Sequence, residues 1–370
     1  MLVGVPREIK KQEARVGLTP GSVREYVSHG HEVLVETAAG HGIGADDQAY
    51  VAAGARIAAG ASEIFSAAGL IVKVKEPQPD EWQRLRRGQI LFTYLHLAPD
   101  PEQTKGLLES SVTAVAYETV TDGSGGLPLL APMSEVAGRL SIEAAGTALK
   151  SYNGGSGLLL GGVPGVAPAR IAVIGGGVVG THAARMAVGL GAEVSILDRS
   201  IPRLRQLDEL FGGRVRTRFS TIEAIESEIA EADVVIGAVL VPGASAPKLI
   251  TRAMLRHMKP RAVLVDVAID QGGCFEMSHA TTHADPTFEV DGIIHYCVAN
   301  MPGSVPRTSS HALNNATLPF GLALADKGID AIKADAALRD GLSVHEGKLT
   351  SRAVGESLGV AWVEPLAALG

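Results

Sequence analysis

Three glycines, Gly175, Gly177 and Gly180, fall in the spacing G-x-G-x-x-G. The chemistry that this spacing serves is the seating of a pyrophosphate at a strand-to-helix turn. Four apolar residues, Ile171, Ala172, Val173 and Ile174, precede it as a buried strand. A helical stretch follows to about Leu190 and ends at Gly191; a second strand, Val194–Leu197, stops at Asp198. Gly175 permits the tight turn, Gly177 lets backbone approach phosphate with no Cβ in the way, and Gly180 lets the helix pack close to the sheet. The free N–H groups and positive dipole end at the helix start favour the phosphates. Asp198 stands where a carboxylate accepts hydrogen bonds from both ribose hydroxyls and repels a 2′-phosphate, which favours NAD over NADP. Arg199 and Arg203 lie just beyond it, and either could pair with a 2′-phosphate. The plain alternative is a structural glycine turn in some other α/β fold.

In open parallel sheets, ligands sit beyond the carboxyl ends of the strands. Polar groups that follow predicted strand ends are therefore the next candidates. Arg15 lies in the loop after the first strand, Lys75 follows Leu70–Val74, and His96 follows Ile90–Leu95. Asp270 follows Ala262–Ala268, and Asn300 follows Ile293–Val298. Arg15 and Lys75 show no obvious sequence-local partner. Together they suit a small carboxylate, Arg as a planar fork and Lys as a point charge. His96 has the side chain whose ordinary pKa suits proton transfer near neutrality. Asp270 is followed by Gly272 and Gly273, which allow close backbone approach. Each has a bland reading: solvated surface charge for Arg15 and Lys75, a satisfied core residue for His96, a turn cap for Asp270. His283 and His295 lack metal-ligand spacing and read as structural, so no metal is expected.

The elements that must position these residues follow from periodicity. Strand candidates at Leu2–Val5, Glu32–Val35, Ala55–Ala58, Leu70–Val74, Ile90–Leu95 and Thr113–Tyr117 alternate with helical stretches. Thr19-Pro20 is an N-cap with Pro at the first helical position, and Gly30 lies beyond that helix. After a turn-rich break at 121–128 and a helix over about 134–151, the alternation repeats from 170 to about 300. Strands are expected at Arg214–Arg218, Asp233–Leu240, Ala262–Ala268 and Ile293–Val298. The segment Ser309–Lys327 reads as helical despite Pro319, and 328–370 is weakly patterned. Alternation of this kind implies mostly parallel, doubly wound sheets. The fold class expected is α/β, two doubly wound, Rossmann-like domains, the first discontinuous because the chain returns to it, with the active site in the cleft between them.

Composition agrees. With 370 residues two domains are expected, and 46% hydrophobic against 20% charged residues argues against disorder. A net charge of −7 with no long basic run argues against nucleic-acid binding. Cys274 and Cys297 form no metal spacing and read as reduced core thiols of a cytoplasmic protein. The N-terminus turns charged after five residues, unlike a signal peptide, and no apolar stretch reads as a membrane span.

At this point the sequence resembles a known family. The stretches GVPREIKKQEARVGLTP (4–20), KVKEP (73–77), FTYLHLA (92–98), GVPGVAPARIAVIGGGVVG (162–180), GAVLVPGASAPKLI (237–250), VDVAIDQGG (265–273) and HYCVANMPGSVPRTSSHALNNATLP (295–319) are similar to those of the alanine dehydrogenase and transhydrogenase α-subunit family. The resemblance implies NAD-dependent, reversible oxidative deamination of L-alanine to pyruvate and ammonium, by a homo-oligomer, most often a hexamer. It implies a substrate-binding domain from 1–130 and 308–370, and an NAD-binding domain over 131–307. It assigns His96 and Asp270 to catalysis, and Arg15, Lys75, Asn300 and Met301 to the substrate. Beside the three glycines and Asp198, it assigns Ser134, Val178, Val179 and Arg203 to the cofactor. Ser220, Val239, Leu240 and Ile269 complete that set. Departures are small: His182 where Asn is expected, Ser304 where Ala is common, and Arg203 where Lys is familiar. The alternatives are a transhydrogenase α-subunit-like protein that binds NAD(H), a dehydrogenase for another amino acid such as lysine or an opine, and a non-catalytic NAD sensor.

Overall fold

Short apolar runs become strands throughout, because Val, Ile and Leu satisfy a sheet that is covered on both faces. In chain order they are β1 (Leu2–Val5), β2 (Glu32–Glu36), β3 (Arg56–Ala58), β4 (Leu70–Val72), β5 (Ile90–Thr93) and β6 (Thr113–Ala116). Then come β7 (Arg170–Ile174), β8 (Glu193–Asp198), β9 (Val215–Phe219), β10 (Val234–Gly237), β11 (Val263–Asp266), β12 (Thr287–Val290) and β13 (Ile293–Tyr296). Last are β14 (Leu342–His345) and β15 (Lys348–Leu349). The computed structural model describes residues 1–239 and 247–370. These form two units, Met1–Met133 with Val305–Gly370, and Ser134–Ser304.

The first unit holds an eight-stranded sheet in the order β15-β14-β6-β5-β4-β1-β2-β3. Its first six strands are all parallel, whereas β14 runs antiparallel to β6 and β15 antiparallel to β14. The return of the chain is therefore a sheet extension as well as a helix, Pro306–Lys327, with Pro319 inside it. The second unit holds seven strands in the order β12-β13-β11-β10-β7-β8-β9, parallel except for β12. Both orders are doubly wound. Each reverses direction once, between β1 and β4 in the first unit and between β7 and β10 in the second, and ligands of such sheets bind beyond the carboxyl ends at that reversal.

Local signals set most helix boundaries. Thr19 accepts the Ser22 N–H and Pro20 opens the helix Pro20–Ser28. Asp46 accepts the Ala49 N–H at 2.9 Å ahead of Asp47–Ala52. Ser200 caps Ile201–Phe211, and Gly212 in the left-handed region ends it. Several expected strands run past their ends. β5 stops at Thr93 rather than Leu95, β10 at Gly237, and β11 at Asp266 rather than at Ala268. Beyond β5 and β11, buried apolar loop residues such as Leu95 and Ala268 extend the apparent run. The strand β12 was not expected: its residues are only partly buried and include Glu289, so no apolar run marks it.

Among the described residues no helix is long and apolar enough to cross a membrane, and no group of three potential ligands is placed to hold a metal. Both cysteines are free and buried. His295, on β13, is fully buried, 3.1 Å from the Ile293 carbonyl through Nδ1 and stacked on Phe288. Burial pushes its pKa below the ordinary 6.5. The unfolded chain therefore takes up this proton first, and the stability held above pH 6.5 falls as pH drops through that value toward the lower folded one. In urea denaturation at pH 7.5 and 5.5, His295→Gln is expected to lose less stability on acidification than the parent protein.

Candidate active site

The fingerprint turn has the geometry its glycines predict. Gly175 adopts φ +106°, and a Cβ there would lie 2.5 Å from the Ala238 carbonyl. A Cβ on Gly180 would lie 1.8 Å from the Gly175 carbonyl, so the helix Val178–Gly189 could not pack as it does. A Cβ on Gly177 would meet nothing within 4 Å, and no side chain caps this helix start. The turn thus presents open space and uncapped N–H groups, which fit the pyrophosphate of a dinucleotide. Asp198 Oδ2 accepts the Gly176 N–H at 2.7 Å and Oδ1 the Ser200 N–H at 2.8 Å, which fixes the carboxylate at the end of β8. Arg203 is engaged by the same turn: Nε donates to the Gly176 carbonyl at 2.6 Å and Nη2 to Thr181 Oγ1 at 2.7 Å.

The other residues expected to meet a cofactor are in the same unit. The Val239 side chain flanks Gly175. Ser220 is bound through its N–H to the Asp198 carbonyl at 3.0 Å. Val178 and Val179 open the fingerprint helix, Ile269 opens a 3-10 turn, and Ser134 lies in the helix Ala131–Ala148. Leu240 lies outside the described residues. Asp270 is exposed on the turn Ile269–Gln271. Asn300 has φ +54°, and Met301 is buried at the start of the turn Met301–Ser304. His182 Nδ1 accepts from Arg139 Nε at 3.3 Å, and its Nε2 lies 3.7 Å from Glu135. Burial, ahead of the nearby charges, holds the His182 pKa below its ordinary value, so this ring is neutral where Asn was expected.

In the first unit the structure corrects the reading of Arg15. It is neither partnerless nor a surface charge. It is 2% exposed and bound by Glu13, two residues back, through Nε at 2.7 Å and Nη2 at 2.5 Å. Its Nη1 faces Met133 Sδ at 3.0 Å. A buried guanidinium needs a counter-charge. Burial works against the Arg15 charge, and the hydrogen-bonded Glu13 outweighs it, so the net shift is upward. Lys75 likewise has a neighbour partner, Glu76 Oε2 at 4.0 Å.

Three of the expected residues gather at the carboxyl ends of the central strands, through residues that sequence reasoning missed. Glu8 Oε1 accepts the Val74 N–H at 2.7 Å and the Lys75 N–H at 3.4 Å, which sets the start of the Lys75 loop. Glu8 in turn pairs with the fully buried Lys73 at 3.1 Å, as does Glu81 at 2.8 Å. Tyr94 lies close enough to Arg15 to interact electrostatically and stacks parallel on His96, with ring centroids 5.8 Å apart. Its hydroxyl donates to the Leu129 carbonyl at 2.6 Å, and burial raises its pKa, so it remains a neutral phenol. His96 has φ +49°, a costly conformation for a residue with a Cβ. Glu118 holds it there by accepting the His96 N–H at 2.6 Å and the Leu95 N–H at 3.2 Å. No local pattern marks Glu8 or Glu118. Glu13 had a signal in its spacing of two from Arg15.

A doubly wound unit with a dinucleotide turn, and another that presents buried cations and a histidine at strand ends, define an NAD(P)-type oxidoreductase architecture. Residues 4–137 match the model described as alanine dehydrogenase/PNT, N-terminal domain, and residues 141–352 match the C-terminal domain of the same family. The chain belongs to the alanine dehydrogenase/PNT family. It is 60% identical over 371 residues to the alanine dehydrogenase of Halomonas elongata, covering 100% of both chains. It is 52% identical to that of Bacillus subtilis, covering 98% of this chain and 96% of the other. A solved L-alanine dehydrogenase superposes with a TM-score of 0.94 at 51% identity, covering 97% and 99% of the two chains. A transhydrogenase from Sinorhizobium meliloti superposes at 0.80 with 26% identity, over 95% and 100%.

Two substitutions test this arrangement. Lys73→Met leaves Glu8 and Glu81 buried without their cation. It is expected to cost about 3–5 kcal/mol in urea denaturation. Gly180→Val is expected to weaken NADH binding at least roughly tenfold in a fluorescence titration, because the helix start must move away from the turn.

Proposed function

We propose that this protein catalyses the reversible, NAD-dependent oxidative deamination of L-alanine to pyruvate and ammonium. The observation that carries the reading is the full-length likeness to alanine dehydrogenases, at 60% identity, against 26% to a transhydrogenase. Bound NAD supplies the acceptor for the substrate Cα hydride. In this reading 131–307 form the NAD-binding domain, and 1–130 with 308–370 form the substrate-binding domain. The protein acts as a cytoplasmic homo-oligomer, a hexamer by family resemblance, which light scattering on the purified protein tests.

The chain's own groups have the following work. Arg15 and Lys75 hold the substrate carboxylate, and the Glu13 pairing turns the Arg15 fork before substrate arrives. Asn300 and Met301 complete the substrate contacts. Ser134, Gly175, Gly177, Val178, Val179, Gly180, Asp198, Arg203, Ser220, Val239, Leu240 and Ile269 hold the cofactor. With the amine of alanine deprotonated, its lone pair forms the C=N bond as the Cα hydride is lost, and the substrate becomes an iminium. The Asp270 carboxylate orients a water against that carbon and takes one of its protons as the C–O bond forms and gives a carbinolamine. His96, held by Tyr94 and Glu118, gives a proton to the carbinolamine nitrogen and takes the one on its hydroxyl, so that the C–N bond breaks, ammonia departs and the carbonyl of pyruvate remains. Each proton-transfer group contributes about 10²–10⁴-fold.

NADH oxidation in the presence of pyruvate and ammonium tests the reading, with parallel runs lacking ammonium or using NADPH. Oxidation that requires both substrates and prefers NADH is expected. Oxidation without ammonium would indicate a 2-hydroxy-acid product. NADH binding with no turnover would favour the transhydrogenase-like or sensor readings. His96→Ala and Asp270→Asn are each expected to lower kcat by about 10²–10⁴-fold, and Arg15→Ala to raise KM for pyruvate first.

A further inference from the structure

The turn that carries Asp270 is held from two sides. From within, the fully buried Asp266 carboxylate accepts the N–H groups of Ala268 at 3.1 Å, Cys274 at 2.9 Å and Phe275 at 3.3 Å. It also accepts the Ser278 hydroxyl at 2.5 Å. From outside, the Lys248 ammonium donates to the carbonyls of Gly272 at 2.5 Å and Gly273 at 2.8 Å. These two glycines have φ +85° and +73°, a succession that residues with a Cβ rarely adopt. It leaves both carbonyls within reach of one ammonium. The N–H groups of 271–273 are already satisfied by the carbonyls of Ala268 and Ile269. In this turn a carboxylate and inner carbonyls thus take N–H groups, and a lysine takes two outer carbonyls.

Lys248 is itself placed by a short ladder. The Leu249 N–H donates to the Cys274 carbonyl at 2.7 Å, and the Glu276 N–H to the Ile250 carbonyl at 2.9 Å. Ile250 and Phe275 form a parallel bridge, and the Arg252 N–H donates to Glu276 Oε2 at 2.7 Å. The segment that bears the ammonium is thus bonded to the segment that follows its target carbonyls. The side chain has no other hydrogen-bond or ionic partner among the described residues.

We propose that Lys248 is a positioning residue: by bridging the Gly272 and Gly273 carbonyls it closes the loop behind Asp270 and so sets the direction of the Asp270 carboxylate. The inference rests on the reading of Asp270 as the water-orienting acid, and requires no contact between Lys248 and substrate. Direction matters because a misplacement of about 1 Å at a reacting group can cost about 10²-fold in rate. Lys248 is exposed, and water competes for both carbonyls, so the loss on its removal is smaller, roughly tenfold.

The test is steady-state amination of pyruvate by Lys248→Met, Lys248→Gln, Lys248→Arg, Asp270→Asn and the double variant Lys248→Met/Asp270→Asn. Lys248→Met is expected to lose roughly tenfold in kcat, with KM for pyruvate and for NADH within about twofold of the parent. Arg restores most of the loss, and Gln, which offers one amide, restores part. The double variant is expected to be no slower than Asp270→Asn alone, because Lys248 acts only through Asp270. Full kcat in Lys248→Met, additive losses in the double variant, or a raised KM for NADH with kcat intact would each overturn the proposal. An Asp270→Asn enzyme with full turnover would overturn the reading of Asp270 and this inference with it, and the single variant alone reveals that case.

Discussion

The capture of loop N–H groups by carboxylates is the interaction on which the rest of this structure depends. A parallel strand ends in a loop whose backbone donors have left the ladder, and a buried donor without a partner costs as much as a lost hydrogen bond. Four acids meet that need where the chain turns away from the sheet. Glu8 takes Val74 and Lys75, Glu118 takes Leu95 and His96, Asp198 takes Gly176 and Ser200, and Asp266 takes Ala268, Cys274 and Phe275. Lys75, His96 and the turns carrying Gly177 and Asp270 are all borne by loops fixed in this way. The same acceptors that satisfy the folded backbone also position the candidate catalytic and binding residues.

The doubly wound order explains why these loops matter more than others. In each sheet the strand order reverses once, and the loops beside the reversal diverge to opposite faces, which opens a crevice at the carboxyl ends. The Arg15 and Lys75 loops flank the reversal in the first sheet, and the Gly175 turn and Val239 flank it in the second. A fold of this kind supplies the location without specifying the chemistry, which resides in the side chains grafted there.

Placing charge at such points has a cost that the structure meets locally. Arg15 at 2% exposure and Lys73 at 0% are each matched by carboxylates within hydrogen-bonding distance, so neither charge is buried alone. The positive φ of His96 is likewise opposed by the hydrogen bonds that its own N–H and that of Leu95 donate to Glu118, and by the face of Tyr94. Strain and buried charge persist where neighbouring groups over-determine the geometry, as at His96 beyond β5 and Lys73 beyond β4.

Features that depend on near neighbours could be read along the chain. The strand–turn–helix around Gly175, Gly177 and Gly180 was legible because each glycine answers a steric demand within a few residues, and Asp198 because it ends the next strand. The helix start at Thr19 was legible because a cap acts on an N–H three residues on. Strand ends were less so, since a buried loop residue such as Ala268 is as apolar as a strand residue. The tertiary structure alone decided the pairings across distance: Glu8 with Lys75, Glu118 with His96, Lys248 with Gly272, and the antiparallel return of β14 onto β6. Periodicity reports which face of an element is buried, but carries no record of which distant group will meet it. The half-exposed β12 and the Glu13–Arg15 pair lie between these cases. One lacks an apolar run, and the other was visible in spacing but acquired its meaning only once Arg15 proved to be buried.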